Sequence, residues 1–153
     1  IGGGRNAADS REMWEKSRAA YWQVEKELGV RVIPTGDAFW RVNSDPKCSY
    51  QPDATFDFKD ATKPSLPSQT YSLHVGYRWG ADGKLGQDAN HANVAGEYLG
   101  ALVWYGFLFD ESPEKLAFVP PGIAPGFAAH LRQVAWQVVQ ETALASRKLA
   151  AKK

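Results

Sequence analysis

Cysteine is almost missing from this chain: Cys48 stands alone among 153 residues. An internal disulfide framework is thereby excluded, as is a zinc site built from cysteines, while the compartment stays open. Charge of one sign is equally scarce. Lys and Arg number 18 against 17 Asp and Glu, a formal net charge of +1. That balance supplies no broad electrostatic reason to bind nucleic acid or an anionic membrane. The longest apolar run, Ala101 to Phe109, is far shorter than the ~20 residues that cross a bilayer. The chain opens on Ile1-Gly2-Gly3-Gly4 without a charged segment leading into an apolar one, so no signal peptide is visible. Trimming or processing is expected from a start at Ile1 rather than Met. The apolar share of 44% and the charged share of 23% are those of an ordinary globular domain, and the length suits one.

Asp9 to Leu28 reads as an amphipathic helix. Trp14, Tyr21, Val24 and Leu28 recur at helical spacing, with Met13 and Ala20 widening the stripe. Asp9 or Ser10 suits its start and Gly29 its end. Val30-Arg31-Val32-Ile33-Pro34 then reads as a short β-strand. A helix, a glycine and a strand form the second half of a βαβ unit, which implies a parallel sheet. Ligands on such sheets gather beyond the strand ends, here near Thr35-Gly36-Asp37. Residues 41–90 read as one long loop, broken by Pro46, Pro52, Pro64 and Pro67, with a short strand at Tyr71 to Val75 and a turn at Asp82-Gly83.

Val94 to Phe109 is apolar almost all round, the pattern of a helix buried on most sides. A last helix is expected from about Pro125 to Leu149. Its inner stripe is Phe127, Leu131, Val134, Val138 and Thr142, joined by Ala135 and Val139. Its basic tail, ending in Lys152-Lys153, suits the helix dipole better than a nucleic-acid contact. One strand cannot make a sheet, so further strands are expected from an upstream segment or a second chain.

The stretch Gly86 to Leu99 carries the chemistry. Asp88 stands three residues before His91, directly ahead of the apolar helix, and Asn93 is placed to cap that helix. A carboxylate that accepts the Nδ1 proton of an imidazole fixes its tautomer and leaves Nε2 to take a proton from a hydroxyl. The same spacing also occurs where an Asp–His hydrogen bond merely orders a loop.

The pattern D-x-x-H-x-N-x-x-G-x-x-L over residues 88–99, together with Val32 to Phe39 (VIPTGDAF), resembles the C-terminal part of SGNH (GDSL-type) hydrolases. The resemblance covers roughly residues 10–110, and Ala92-Asn93 stands where that family usually has Pro-Ser. It implies a three-layer α/β/α sandwich with a parallel sheet of about five strands, incomplete in this chain, residues 1–153 forming the C-terminal part of one such domain. It also implies a serine ester hydrolase acting on an acyl ester such as a carbohydrate acetyl group, in a secreted or periplasmic setting. Asp88 becomes the orienting carboxylate and His91 the general base, with no metal or organic cofactor. The family's Gly-Asp-Ser block and its oxyanion-hole Gly and Asn have no counterpart here, and neither G-x-S-x-G nor a strand ahead of Asp9-Ser10 exists. The serine is therefore expected from an upstream segment or a companion chain. The alternative is a non-catalytic carbohydrate-binding or assembly protein that keeps the hydrolase fold.

Several other side chains have two readings. His74 can join Asp88 and His91 as a metal set, though the spacing matches no standard zinc motif. His130 reads as a surface or helix-packing residue. Asp37 either lines a cleft or closes an Asx turn. Trp14, Trp22, Trp104 and Trp136 read as core or groove fillers, whereas Trp40, Trp79 and Tyr77 are the candidates to stack on a sugar ring. Arg78 is either a contact for an acidic sugar or a surface charge.

Overall fold

The computed structural model describes residue 7 and residues 9–150. Helix α1 runs Ser10–Leu28 and helix α2 Thr35–Asn43. Strands β1, His74–Trp79, and β2, Leu85–Ala92, precede helix α3, Val94–Phe109. A single 3-10 turn at Pro113–Lys115 then leads to helix α4, Pro125–Ala150.

Local chemistry accounts for the helix ends. Asp9 caps α1 by accepting the Glu12 backbone N–H at 2.8 Å, and Gly29 closes it in the left-handed region at φ 68°. Asn93 caps α3, its Oδ1 accepting from the N–H groups of Ala95 at 2.9 Å and Gly96 at 3.0 Å. Its amide group donates to the carbonyls of Ser72 and His74 at 2.8 and 2.9 Å. One side chain thus ties the start of α3 to the chain entering β1.

The core lies where α3, α4 and α2 meet. Leu99, Val103, Leu131, Ala128, Ala135, Ala38 and Val42 are all fully buried. The α4 stripe is as its periodicity predicts: Phe127, Leu131, Val134, Ala135, Val138, Val139 and Thr142 all face inward. Helix α3 buries Tyr98, Leu99, Leu102 and Val103, while Val94, Trp104, Leu108 and Phe109 on its other side are exposed. Helix α1 buries no residue at all; Tyr21, Val24 and Leu28 of its expected inner stripe are exposed.

The three-layer α/β/α sandwich with a parallel sheet is not the architecture. Among the described residues the only sheet is the antiparallel hairpin of β1 and β2. Residues 30–34 have no strand partner there. Ile33 packs against the core, Arg31 lies over the Phe107 ring at 4.3 Å, and α2 starts at once with Ala38 N–H donating to the Pro34 carbonyl. A β-branched run without a neighbour has no ladder to join, so its propensity is overridden. The 41–90 loop is shorter at both ends: residues 41–43 complete α2, and the residues from His74 form the hairpin, which takes in Asp88 and His91. The strand expected at Tyr71 begins only at His74, because Tyr71 turns the chain at φ 62°.

Candidate functional site

The hairpin register sets Asp88 opposite Gly76, then slips before His74 pairs with Ala92. The slip leaves Ala89, Asn90 and His91 bulged out of the ladder. Asp88 Oδ1 stabilises the bulge by accepting the backbone N–H groups of Asn90 at 3.2 Å and His91 at 3.1 Å. This Asx-type turn brings the imidazole back over its own carboxylate. His91 Nδ1 lies 3.0 Å from both Asp88 oxygens.

The electrostatics follow. The His91 backbone N–H first, and then the His91 ring, hold the Asp88 carboxyl below the usual carboxylate range. Asp88 therefore stays ionised at neutral pH and favours the tautomer with its proton on Nδ1. The His91 side chain is 79% exposed, whereas that of Asp88 is 17% exposed. Among the described residues no hydrogen bond engages Nε2. Arg78, across the hairpin, reaches Asp88 Oδ2 at only 3.7 Å and is mostly exposed. The arrangement is a screened carboxylate holding an open base.

A groove of about 970 Å³ runs past the same hairpin. One wall is α1, through Met13, Trp14, Tyr21 and Val24, and the other is residues 30–34 with the start of α2. Ala89, Asn90 and Ala92 of β2 line it, whereas Asp88 and His91 themselves do not. Trp14 and Trp40 stack in its wall, ring centres 5.0 Å apart and planes 11° apart. Trp14 Nε1 donates to Asp37 Oδ1 at 2.7 Å, and Arg18 reaches the same oxygen at 3.2 Å. Asp37 thus sits in the first turn of α2 and lines the groove, rather than closing an Asx turn.

Of the three expected sugar contacts, Trp40 lines this groove and the other two do not. Tyr77 packs against Phe58, ring centres 5.1 Å apart, and Trp79 donates from Nε1 to the Ser65 carbonyl at 2.9 Å. The α1 tryptophans, read as fillers, are groove walls. Their position follows from how α1 lies on α2, a contact that no local spacing encodes.

His74 lies at the inner edge of the groove against Phe39, ring centres 6.0 Å apart. It is not part of a metal set with Asp88 and His91: among the described residues no three-ligand group contains it. Burial pushes the His74 imidazole below its ordinary value, with the Asp88 charge opposing. The folded state then binds this proton less readily than the unfolded chain, so stability is lost as pH falls through the ordinary histidine value near ~6.5. Urea unfolding between pH 7.5 and 5.5 is expected to show a midpoint that drops on acidification. The drop is expected to be shallower in His74→Gln; equal slopes in the two proteins would contradict the assignment.

No family model, curated protein or solved structure matches the chain in comparison.

Proposed function

We propose that this chain supplies the general base and its orienting carboxylate to a serine ester hydrolase of SGNH type. Its substrate class is an acyl ester, such as an acetyl group on a carbohydrate. The observation that carries the reading is the Asp88 carboxylate on Nδ1 of His91 at 3.0 Å, with the rest of the ring open. The motif block 88–99 adds its resemblance to the last conserved block of that family.

In this reading a serine hydroxyl, from a segment or companion chain outside the arrangement described, approaches His91 Nε2. The imidazole takes the hydroxyl proton as the oxygen attacks the ester carbonyl, and Asp88 stabilises the imidazolium that forms. His91 then gives the proton to the leaving alcohol, and water repeats the sequence to free the acid. The groove holds the alcohol part of the substrate, with Trp40 in its wall as the stacking candidate for a pyranose ring.

The test uses the protein purified from its own cells, with whatever chain accompanies it. A fluorophosphonate probe is expected to label a serine in that assembly, and turnover of p-nitrophenyl acetate is expected to fall to background in His91→Ala with the fold intact. Unchanged turnover in His91→Ala would remove the base from the mechanism. A purified assembly with neither labelling nor turnover favours the non-catalytic reading, in which the groove alone binds carbohydrate.

A further inference from the structure

A second cluster lies just beyond the C-terminal end of α2. The turn after α2 and the second turn of α4 bring together Asp45, Cys48 and His130, whose oxygen, sulfur and nitrogen atoms all lie within 4.8 Å of one another. None of the three lines the groove.

The His130 ring is the informative member. Its Nε2 is buried and has no hydrogen-bond partner, although Asp45 Oδ2 is 3.5 Å away. A histidine kept for a structural hydrogen bond closes to about 2.9 Å, because a buried ring nitrogen left unsatisfied costs free energy. The separation suits another geometry. Zinc arms of about 2.05 Å to nitrogen and 2.1 Å to oxygen, at a tetrahedral angle, set those atoms about 3.4 Å apart. The ring is also held in place, lying nearly parallel to Phe127 with centres 6.5 Å apart.

The turn presents the other two donors. Asp45 Oδ1 is committed to the Lys47 backbone N–H at 2.8 Å, which leaves Oδ2 for His130. The Cys48 backbone N–H donates to the Asp45 carbonyl at 3.3 Å, so the two side chains leave one tight turn together. Cys48 is half-buried against the core. A thiolate, an imidazole and one carboxylate form a set that suits zinc, whereas magnesium and calcium prefer oxygen donors alone.

We propose that Asp45, Cys48 and His130 form a zinc site that clasps the turn after α2 to α4. The three side chains supply sulfur, nitrogen and oxygen ligands, and water completes the tetrahedron. The thiol gives its proton to solvent on binding. Cys48 contributes one ligand to a mixed set, which the scarcity of cysteine leaves open. This site is independent of the hydrolase reading.

The test is a cobalt titration of the reduced, metal-stripped 153-residue chain, followed by zinc displacement. One equivalent of cobalt is expected to give tetrahedral visible bands and a thiolate-to-metal charge-transfer band, both removed by one equivalent of zinc. Zinc alone is expected to raise the melting temperature. Cys48→Ser is expected to abolish the charge-transfer band. Asp45→Asn and His130→Gln are expected to weaken binding by at least the roughly 10- to 100-fold that losing an outer-shell partner costs. His91→Ala, remote from the three ligands, is expected to keep both cobalt bands and the zinc-induced rise in melting temperature. Absence of the band in the parent chain, or its survival in Cys48→Ser, would overturn the proposal. Circular dichroism on each variant separates lost binding from lost folding.

Discussion

Asp88→Asn is expected to lower ester turnover by about 10⁴-fold, the loss that the same exchange causes in a serine hydrolase triad, while leaving the hairpin folded. The reason lies in how the two carboxylate oxygens are used. Oδ1 accepts two backbone N–H groups, from Asn90 and His91, and an asparagine carbonyl oxygen preserves both bonds. The new amide nitrogen must therefore take the Oδ2 position, which sets His91 Nδ1 between an amide donor and the retained Oδ1, each 3.0 Å away. An amide there donates rather than accepts. It competes with Oδ1 for the imidazole and favours the proton on Nε2, where the ring can no longer act as a base, and in either tautomer the stabilising charge behind the ring is gone. Kinetics beside a thermal melt check this: turnover within tenfold of the parent would sink the role given to Asp88.

The parts of this molecule that were legible in the sequence are those whose physics is local. The α4 stripe is one, because a helix repeats its inward face every three to four residues and Phe127, Leu131, Val134 and Val138 fit that spacing with no other knowledge. The Asp88–His91 pair is another. Three residues are enough for an Asx turn to fold the ring back on its carboxylate, whatever the rest of the chain does. Asn93 as a cap belongs to the same class.

Pairing, by contrast, was not legible. Helix α1, Gly29 and Val30 to Ile33 have the local grammar of a βαβ unit, but a strand exists only where a neighbour supplies its hydrogen bonds. β2 has the opposite history. Its residues, LGQDANHA, show no apolar alternation, and they become a strand because β1 lies beside them. α2 was hidden by Thr35-Gly36-Asp37, which reads as a turn until packing of Ala38 and Val42 against α3 and α4 supplies the reason for a helix. The groove and the Asp45–Cys48–His130 cluster depend on contacts between elements far apart in the chain, and no motif spacing announces such contacts.

Gly96→Ala is expected to destabilise the protein by about 2–4 kcal/mol. A Cβ at this position would lie 2.2 Å from the Leu73 carbonyl oxygen and 3.0 Å from the Ala92 Cβ. The first of these atoms is backbone, so the start of α3 has to lift away. Lifting it strains the Asn93 N–H bond to the Leu73 carbonyl, 3.0 Å, and the two Asn93 amide bonds beside it. Overpacking costs about 1–3 kcal/mol and each lost hydrogen bond about 1, against a gain of about 1 from the better helix former. For a chain of this size the melting temperature is expected to fall by roughly 5–15 °C. Gly100→Ala is the control one turn along the same helix. Its nearest neighbour would be the Thr35 methyl at 3.8 Å, so the propensity gain is expected to stand and the melting temperature to hold or rise. Equal effects at the two glycines would show that α3 does not rest on the Leu73 carbonyl.

The state of one imidazole decides the rest. A long-range ¹H–¹⁵N spectrum of the labelled chain, recorded above neutral pH with His91→Ala as the assignment control, reads which ring nitrogen carries the proton. A proton on Nδ1 and a bare Nε2 are expected for that residue, with the balance shifted toward a protonated Nε2 in Asp88→Asn. A protonated Nε2 in the parent chain, or the mixed tautomers of a free histidine, would contradict this expectation.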